Sequence, residues 1–179
     1  MDSVSRRFNL YLLAAVSTLL FCGCATHKKK EPVTVLRVHA QAKENTTFTR
    51  KIKVFENDPT ELKVDQSTIV TDAEVESANV VDALGGFALV IKFDKRGQWL
   101  LDQHSSLNIG RHLAIFVQYG EKSEKAKWIA APVISNRISD GSLIFTPDLT
   151  RDEADEIVKG LGHKAASAKA AKDDKQWAP

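Results

Sequence analysis

The sequence predicts an α+β fold: a mostly antiparallel sheet with two main helices packed on one face, plus an N-terminal β-hairpin. Three observations carry that prediction. Two short alternating runs open the folded part of the chain, a continuous apolar run with a capped helix behind it occupies the middle, and a second capped helix closes it. The connections are short, which favours antiparallel pairing of the last three strands.

Taken in order, "VTVLRVHA" (33–40) alternates Val33, Val35 and Val38 with polar positions, and "FTRKIKVF" (48–55) alternates Phe48, Ile52 and Val54. The polar "KENTT" between them suits a hairpin loop. "ENDPTE" breaks the pattern, because proline cannot continue a ladder, and "LKVDQSTIV" (62–70) returns as a strand. Over 71–83, "TDAEVESANVVDA", the apolar spacing fits helix and strand equally. "GGFALVIKF" (85–93) reads as a buried strand bounded by glycine. Asp94 then caps a helix over "KRGQWLLDQHSSLN", Gly110 stops it, and "HLAIFVQY" (112–119) is another buried strand.

The charged "GEKSEKAK" is a hairpin loop leading to "WIAAPVIS" and "LIFT", two strands joined at Asp140-Gly141, a two-residue turn signal. Pro132 lies in the first of them and makes it an edge strand or a bulged one. Trp128 and Tyr119 are expected to face each other across strands. Thr150 and Glu153 form a capping box for a helix from 150 to 162. Its stripe is Ala154, Ile157, Val158 and Leu161, and Gly162 can end it. The Ala/Lys-rich remainder, 163–179, lacks an apolar stripe and reads as a flexible tail, either a frayed helix or disordered.

The N-terminus fixes a destination. Arg6 and Arg7 precede "FNLYLLAAVSTLLF", about the length of a signal-peptide core and short for a bilayer span. "FCGCAT" follows, with cysteine only at 22 and 24. Gly23-Cys24 resembles the bacterial lipobox, in which the cysteine is lipidated and becomes the new N-terminus. Phe21 departs from the usual leucine, and a plain cleaved signal is the alternative. The expected organisation is a lipoprotein signal peptide over 1–23, lipidated Cys24 and a basic tether over 24–32, one domain over 33–162, and the tail. Ala25, where an aspartate would retain a lipoprotein at the inner membrane, points to an outer-membrane anchor facing the periplasm. Removing 1–23 takes away Arg6, Arg7 and Asp2 and leaves 23 basic against 22 acidic side chains, a net charge of +1. That balance argues against nucleic acid as a partner.

"GFALVIKFDKRGQWLLDQHSSLNIGRHLAIFV" and "APVISNRISDGSLIFTPDLTRDEADEIVKGL" together resemble the first periplasmic (head) domain of the SecD subunit of the bacterial preprotein translocase. The carrying positions are Phe93, Asp94, Gly97, Leu101, Gly110, Leu113 to Ile115, Ala131 to Ile134, Ile138, Gly141, Glu153 and Ala154. The resemblance covers about 68–161. SecD continues into several membrane-spanning helices, whereas no apolar run after position 24 of this sequence is long enough to span. The resemblance therefore implies a surface that contacts emerging polypeptides or envelope proteins, not a translocase motor.

Candidate chemistry is sparse. "DQHSS" (102–106) gathers an aspartate, a histidine and two serines, but a turn of roughly 100° per residue sends Ser105 and Ser106 away from His104. Five scattered histidines show no ligand spacing, and the glycines form no phosphate cradle, so neither metal nor cofactor is expected. Trp99, on the helix side of Asp102 and Ser106, either packs beneath a loop or stands out as an anchor for a partner. Pro132 and Val133 mark an edge that could take an added strand, or one that proline blunts. The expected function is a non-catalytic envelope lipoprotein that binds exported polypeptides or envelope proteins. A spacer lipoprotein and, remotely, a hydrolase are the alternatives.

Overall fold

β-structure dominates the chain, and the alternation seen in the sequence decides which side chains meet. The structure, a computed structural model, describes residues 34–56, 58–120 and 123–176, and for 163, 164 and 167–176 it describes the backbone only. The elements are β1 (Val35–Gln41), β2 (Thr49–Val54), β3 (Thr60–Thr71), β4 (Val75–Ala83), β5 (Gly86–Phe93), α1 (Lys95–Ser106), β6 (Leu113–Tyr119), β7 (Lys125–Ala130), β8 (Ser142–Phe145) and α2 (Arg151–Gln176). They form a five-stranded sheet in the order β2-β3-β1-β6-β7 and a three-stranded sheet in the order β4-β5-β8. Every named pairing is antiparallel.

Both sheets and both helices meet at one core. Leu36, Val38 and Val70 from β1 and β3, and Leu113, Ile115, Val117 and Ile129 from β6 and β7, face Leu89, Ile91, Phe93, Leu143 and Phe145 of the smaller sheet. Leu101 of α1 and Ala154, Ile157 and Leu161 of α2 complete it, so the α+β fold class holds, with both helices on the same core. The continuous apolar run of β5 is explained by its central position between β4 and β8.

The larger sheet also buries part of its other face. Its register shifts between Val38 and His39, between His39 and Gln41, and between Ile115 and Phe116. Such bulges bend a sheet, and here β2 is brought close to β7. Inside the curl Ile52, Val54, Leu62, Val64 and Ala114 form a second apolar cluster, with Trp128 and Ala131 against it.

Three expectations are corrected. An N-terminal hairpin exists, but β2 and β3 build it; β1 lies on the far side of β3, bonded to β3 and β6. The longer β3 can serve both neighbours, and the six-residue β2 is left at the edge. Asp140-Gly141 joins no hairpin, since β7 and β8 belong to different sheets. Gly141 has φ +72°, and a Cβ there would stand 2.8 Å from Gln98 Cβ, so this glycine permits a close approach to α1. Finally, Gly162 does not end α2, which runs to Gln176, through the region read as a frayed helix or as disordered. Alanine and lysine are strong helix formers, and several in succession outweigh a glycine penalty of about 1 kcal/mol.

The ambiguous stretch resolves into one 3-10 turn, Asp72–Glu74, followed by strand β4. Thr71 and Glu74 make a capping box: Glu74 Oε2 accepts from Thr71 N at 2.9 Å and from its hydroxyl at 2.8 Å. At α1, Asp94 Oδ1 accepts from Arg96 N and Gly97 N at 3.1 and 3.0 Å, as the sequence predicts. At α2, Glu153 Oε2 accepts from Thr150 N at 3.0 Å, and Tyr119 donates its hydroxyl to Glu153 Oε1 at 2.7 Å. That last bond ties the start of α2 to the end of β6.

Two outcomes follow. Gly97 packs so closely that an added Cβ would lie 2.7 Å from Phe93 Cβ and 3.0 Å from Glu74 Cβ. Gly97→Ala is therefore expected to lower stability by about 1–3 kcal/mol in a urea melt, against the ~1 kcal/mol that helix propensity alone would add. Glu153 is held below the ordinary glutamate range, first by the Thr150 amide and then by the Tyr119 hydroxyl. Its contribution is thus fully present above the ordinary carboxylate pKa and is lost as pH falls through the depressed folded value. Glu153→Gln should cost roughly 1 kcal/mol at neutral pH, and the difference from the parent should vanish in acid.

Candidate functional site

Between β7 and β8 the chain crosses from one sheet to the other, and the crossing segment carries two of the residues marked by the sequence. Pro132 follows the end of β7, the terminal strand of its sheet among the described residues. Leu113 N donates to the Pro132 carbonyl at 2.9 Å and Ile134 N to Arg111 O at 2.8 Å, on either side of a bridge between His112 and Val133. In such a pair, the N–H and C=O of Val133 point away from β6, while the position without an amide hydrogen, Pro132, faces it. The proline therefore ends the regular β6–β7 ladder and leaves the outer edge at Val133 open.

Beyond Ile134 the segment is fastened to α1. Ile138 N donates to Ser105 Oγ at 2.8 Å, Gln98 Nε2 donates to the Ser139 carbonyl at 2.7 Å, and Arg137 forms an ion pair with Asp102. Ser105 is buried, and the guanidinium of Arg137 holds the Asp102 carboxyl below its usual range. Pro132, Val133, Ile138 and Ile144 line a shallow groove of about 250 Å³ between this segment and β8, itself the end of its sheet. Val133 is 49% exposed and Ile144 61%.

Trp99 lies elsewhere. Gln98, Asp102 and Ser105 share the face of α1 that meets the crossing segment, and Gly97 and Leu101 face the core. A step of roughly 100° per residue turns Trp99 away from both, and it is 60% exposed. The packed alternative is thereby excluded within the described residues, but the groove lining does not include Trp99. Cys24, the lipidation candidate, and Trp177 lie outside the described residues.

The "DQHSS" cluster is taken up by structural bonds. The Ser105 hydroxyl donates to Asp102 O at 3.3 Å and that of Ser106 to Gln103 O at 2.9 Å. His104 shares a cleft with Ser67, whose hydroxyl donates to Asp65 Oδ1 at 2.7 Å rather than to the imidazole. Among the described residues no three His, Cys, Asp or Glu side chains gather at metal-binding range, and no helix is long and apolar enough to cross a membrane.

A second cleft, of about 480 Å³, opens inside the curl of the larger sheet. Pairing of β6 and β7 sets Trp128 opposite Phe116, and Tyr119 opposite Lys125, so the expected Trp128–Tyr119 pair does not form. The Trp128 ring lies 5.2 Å from that of Phe116 and 5.3 Å edge-on from that of His39. Arg37, on the same strand as His39, stands opposite Phe116, and Arg50 comes from the hairpin. None of these was marked as a site by the sequence; the signal was the alternation "LRVHA", which puts Arg37 and His39 on one strand face. Burial pushes the His39 imidazole below its usual pKa, with the charge of Arg37 adding to the effect.

The sequence profile of the SecDF P1 head subdomain matches residues 46–165, which takes in β2 and β3 as well as the stretch where the resemblance was seen. The chain belongs to this family. Among solved structures, the fold matches that of SecDF described as a membrane component that enhances protein export. That match has 20% identity and a TM-score of 0.52, covering 74% of this chain and 63% of that one. SecDF in a super-membrane-facing form matches at 22% identity and TM-score 0.48, over 72% of this chain and 18% of the other. SecDF of Thermus thermophilus, a translocon-associated membrane protein, matches at 15% and 0.40, over 88% and 34%. The chain thus spans less than two thirds of the SecDF chains it matches. Comparison with curated proteins gives no match.

Proposed function

We propose that this P1 head domain is a non-catalytic module of the bacterial cell envelope, lipid-anchored at Cys24 to the outer membrane and facing the periplasm. It contacts exported polypeptides or envelope proteins through the groove at Pro132 and Val133, with exposed Trp99 as a further anchor. The observation that carries this reading is the open edge: Val133 directs its backbone groups outward beside β8, another terminal strand. An extended chain can add to such an edge by main-chain hydrogen bonds and drop an apolar side chain between Val133 and Ile144. Family membership supports a polypeptide partner, because a solved SecDF is described as enhancing protein export. The apolar run followed by Gly23-Cys24 supports the anchor.

The test uses the full chain in nonionic detergent with a reduced, unfolded secretory protein as bait. A photo-crosslinker at position 133 should capture the bait, and Val133→Asp should weaken binding roughly tenfold. Trp99→Ala should weaken it as well, and neither change should move the melt beyond about 0.5 kcal/mol, since both side chains are exposed. Unchanged binding by Val133→Asp would sink the groove as the contact surface, and unchanged binding by Trp99→Ala would remove Trp99 as an anchor.

The anchor is tested separately. Cells fed radiolabelled palmitate should label the protein, and Cys24→Ser should abolish both the label and its recovery with outer membranes. Labelling that survives the substitution overturns lipidation at this residue.

A further inference from the structure

The cleft inside the curled sheet is distinct from the groove above, and its lining is chemically specific. Three side chains stand in a row across the strands: Arg37 opposite Phe116, and Phe116 opposite Trp128. With strands about 4.8 Å apart, the Arg37 position lies ~10 Å from that of Trp128. Arg50, paired with Val64 in the hairpin, reaches the same cleft from the other wall. Arg37 and Arg50 are both exposed, and neither has a carboxylate at ion-pair distance among the described residues. The other arginines for which the structure gives carboxylate partners, Arg96, Arg137 and Arg151, sit outside this cleft.

One carboxylate does line the cleft, and it is occupied. Asp65 Oδ1 accepts from Ser67 N at 2.9 Å and from the Ser67 hydroxyl at 2.7 Å, which holds it ionised. The His39 Nδ1 is bonded to the Asp65 carbonyl at 3.0 Å; a carbonyl only accepts, so that nitrogen carries a proton. Its lowered pKa leaves the ring neutral at neutral pH, and the two guanidinium groups supply the positive charge. Trp128 and Phe116, both half-buried and with rings tilted 59° to each other, supply an angled apolar wall.

We infer that this cleft binds an organic anion whose carboxylate meets Arg37 and Arg50 and whose attached ring lies against Trp128 and Phe116. Paired guanidinium donors suit a carboxylate, and an aromatic wall suits a ring a few bonds away. The volume of about 480 Å³ accommodates a group of that size. Two sources carry this chemistry: the C-terminal aromatic residue of a polypeptide, and a free aryl-alkanoic acid.

The experiment uses the full chain in nonionic detergent, with Trp99→Phe and Trp177→Phe so that Trp128 alone reports. The probes are N-acetyl-Ala-Ala-Phe with a free carboxylate, the same tripeptide as its C-terminal amide, and 3-phenylpropionate. Trp128 emission is expected to change saturably with at least one of the two acids, and the amide should bind its parent tripeptide site at least roughly tenfold more weakly. Arg37→Gln and Arg50→Gln should each weaken the bound acid by about the same factor. Equal binding of acid and amide, arginine variants that bind like the parent, or no saturable change with either acid up to ~10 mM would overturn the inference. The acid–amide comparison uses unaltered arginines and stands whether or not the variants fold. A tripeptide acid much tighter than phenylpropionate assigns a polypeptide terminus, and comparable affinities assign the free acid; both outcomes support the anion-and-ring chemistry.

Discussion

Strand β6 must be covered on both faces, and the rest of the molecule is arranged around that requirement. Leu113, Ile115, Val117 and Tyr119 point to the main core, while Ala114 on the opposite face is equally sealed at 0% exposure. Cysteine occurs only at positions 22 and 24, so no disulfide braces the domain and burial has to supply its stability. The smaller sheet and both helices cover one face. The other is covered by the same sheet bending back on itself, with the β2–β3 hairpin laid over β6 and β7.

Bending has a chemical consequence, because the concave side of a sheet concentrates whatever the alternation places there. Arg37, His39, Phe116 and Trp128 would be ordinary surface residues on a flat sheet. Curling turns them into the wall of a cleft, with Arg50 facing them from the hairpin. The apolar half of the curl closes as the second cluster, and the polar end stays open. One geometric device thus contributes both stability and a recess.

The local parts of this fold were legible in the sequence. Asp94, Thr150 and Glu153 are capping residues whose partners lie within a few positions, and the α2 stripe Ala154, Ile157 and Leu161 is buried where the period places it. Pairing between distant strands was less legible. "KENTT" and Asp140-Gly141 both carry hairpin chemistry, yet neither joins adjacent strands, because β3 is long enough to intervene and Gly141 is required by its contact with Gln98. Pairing of β6 and β7 already starts at Tyr119 and Lys125, so Trp128 lies three positions further along, opposite Phe116 rather than Tyr119. Of the site, the helical wheel set Trp99 apart from the leucines without deciding between packing and exposure, and the missing amide of Pro132 marked where its strand is interrupted. The arginine–aromatic cleft depends on curvature, which no run of residues records.

The crossing segment between β7 and β8 has a mechanical meaning. It is one of three places where the chain passes between the sheets, it is pinned to α1 at Gln98, Asp102 and Ser105, and it forms one wall of the groove. A change in the spacing of the two sheets must therefore reshape that wall. In the proposed binding mode, occupancy of the groove and the separation of the sheets would be linked quantities, each biasing the other by the same free energy. A strand added beside Val133 would then act as a strut between the sheets.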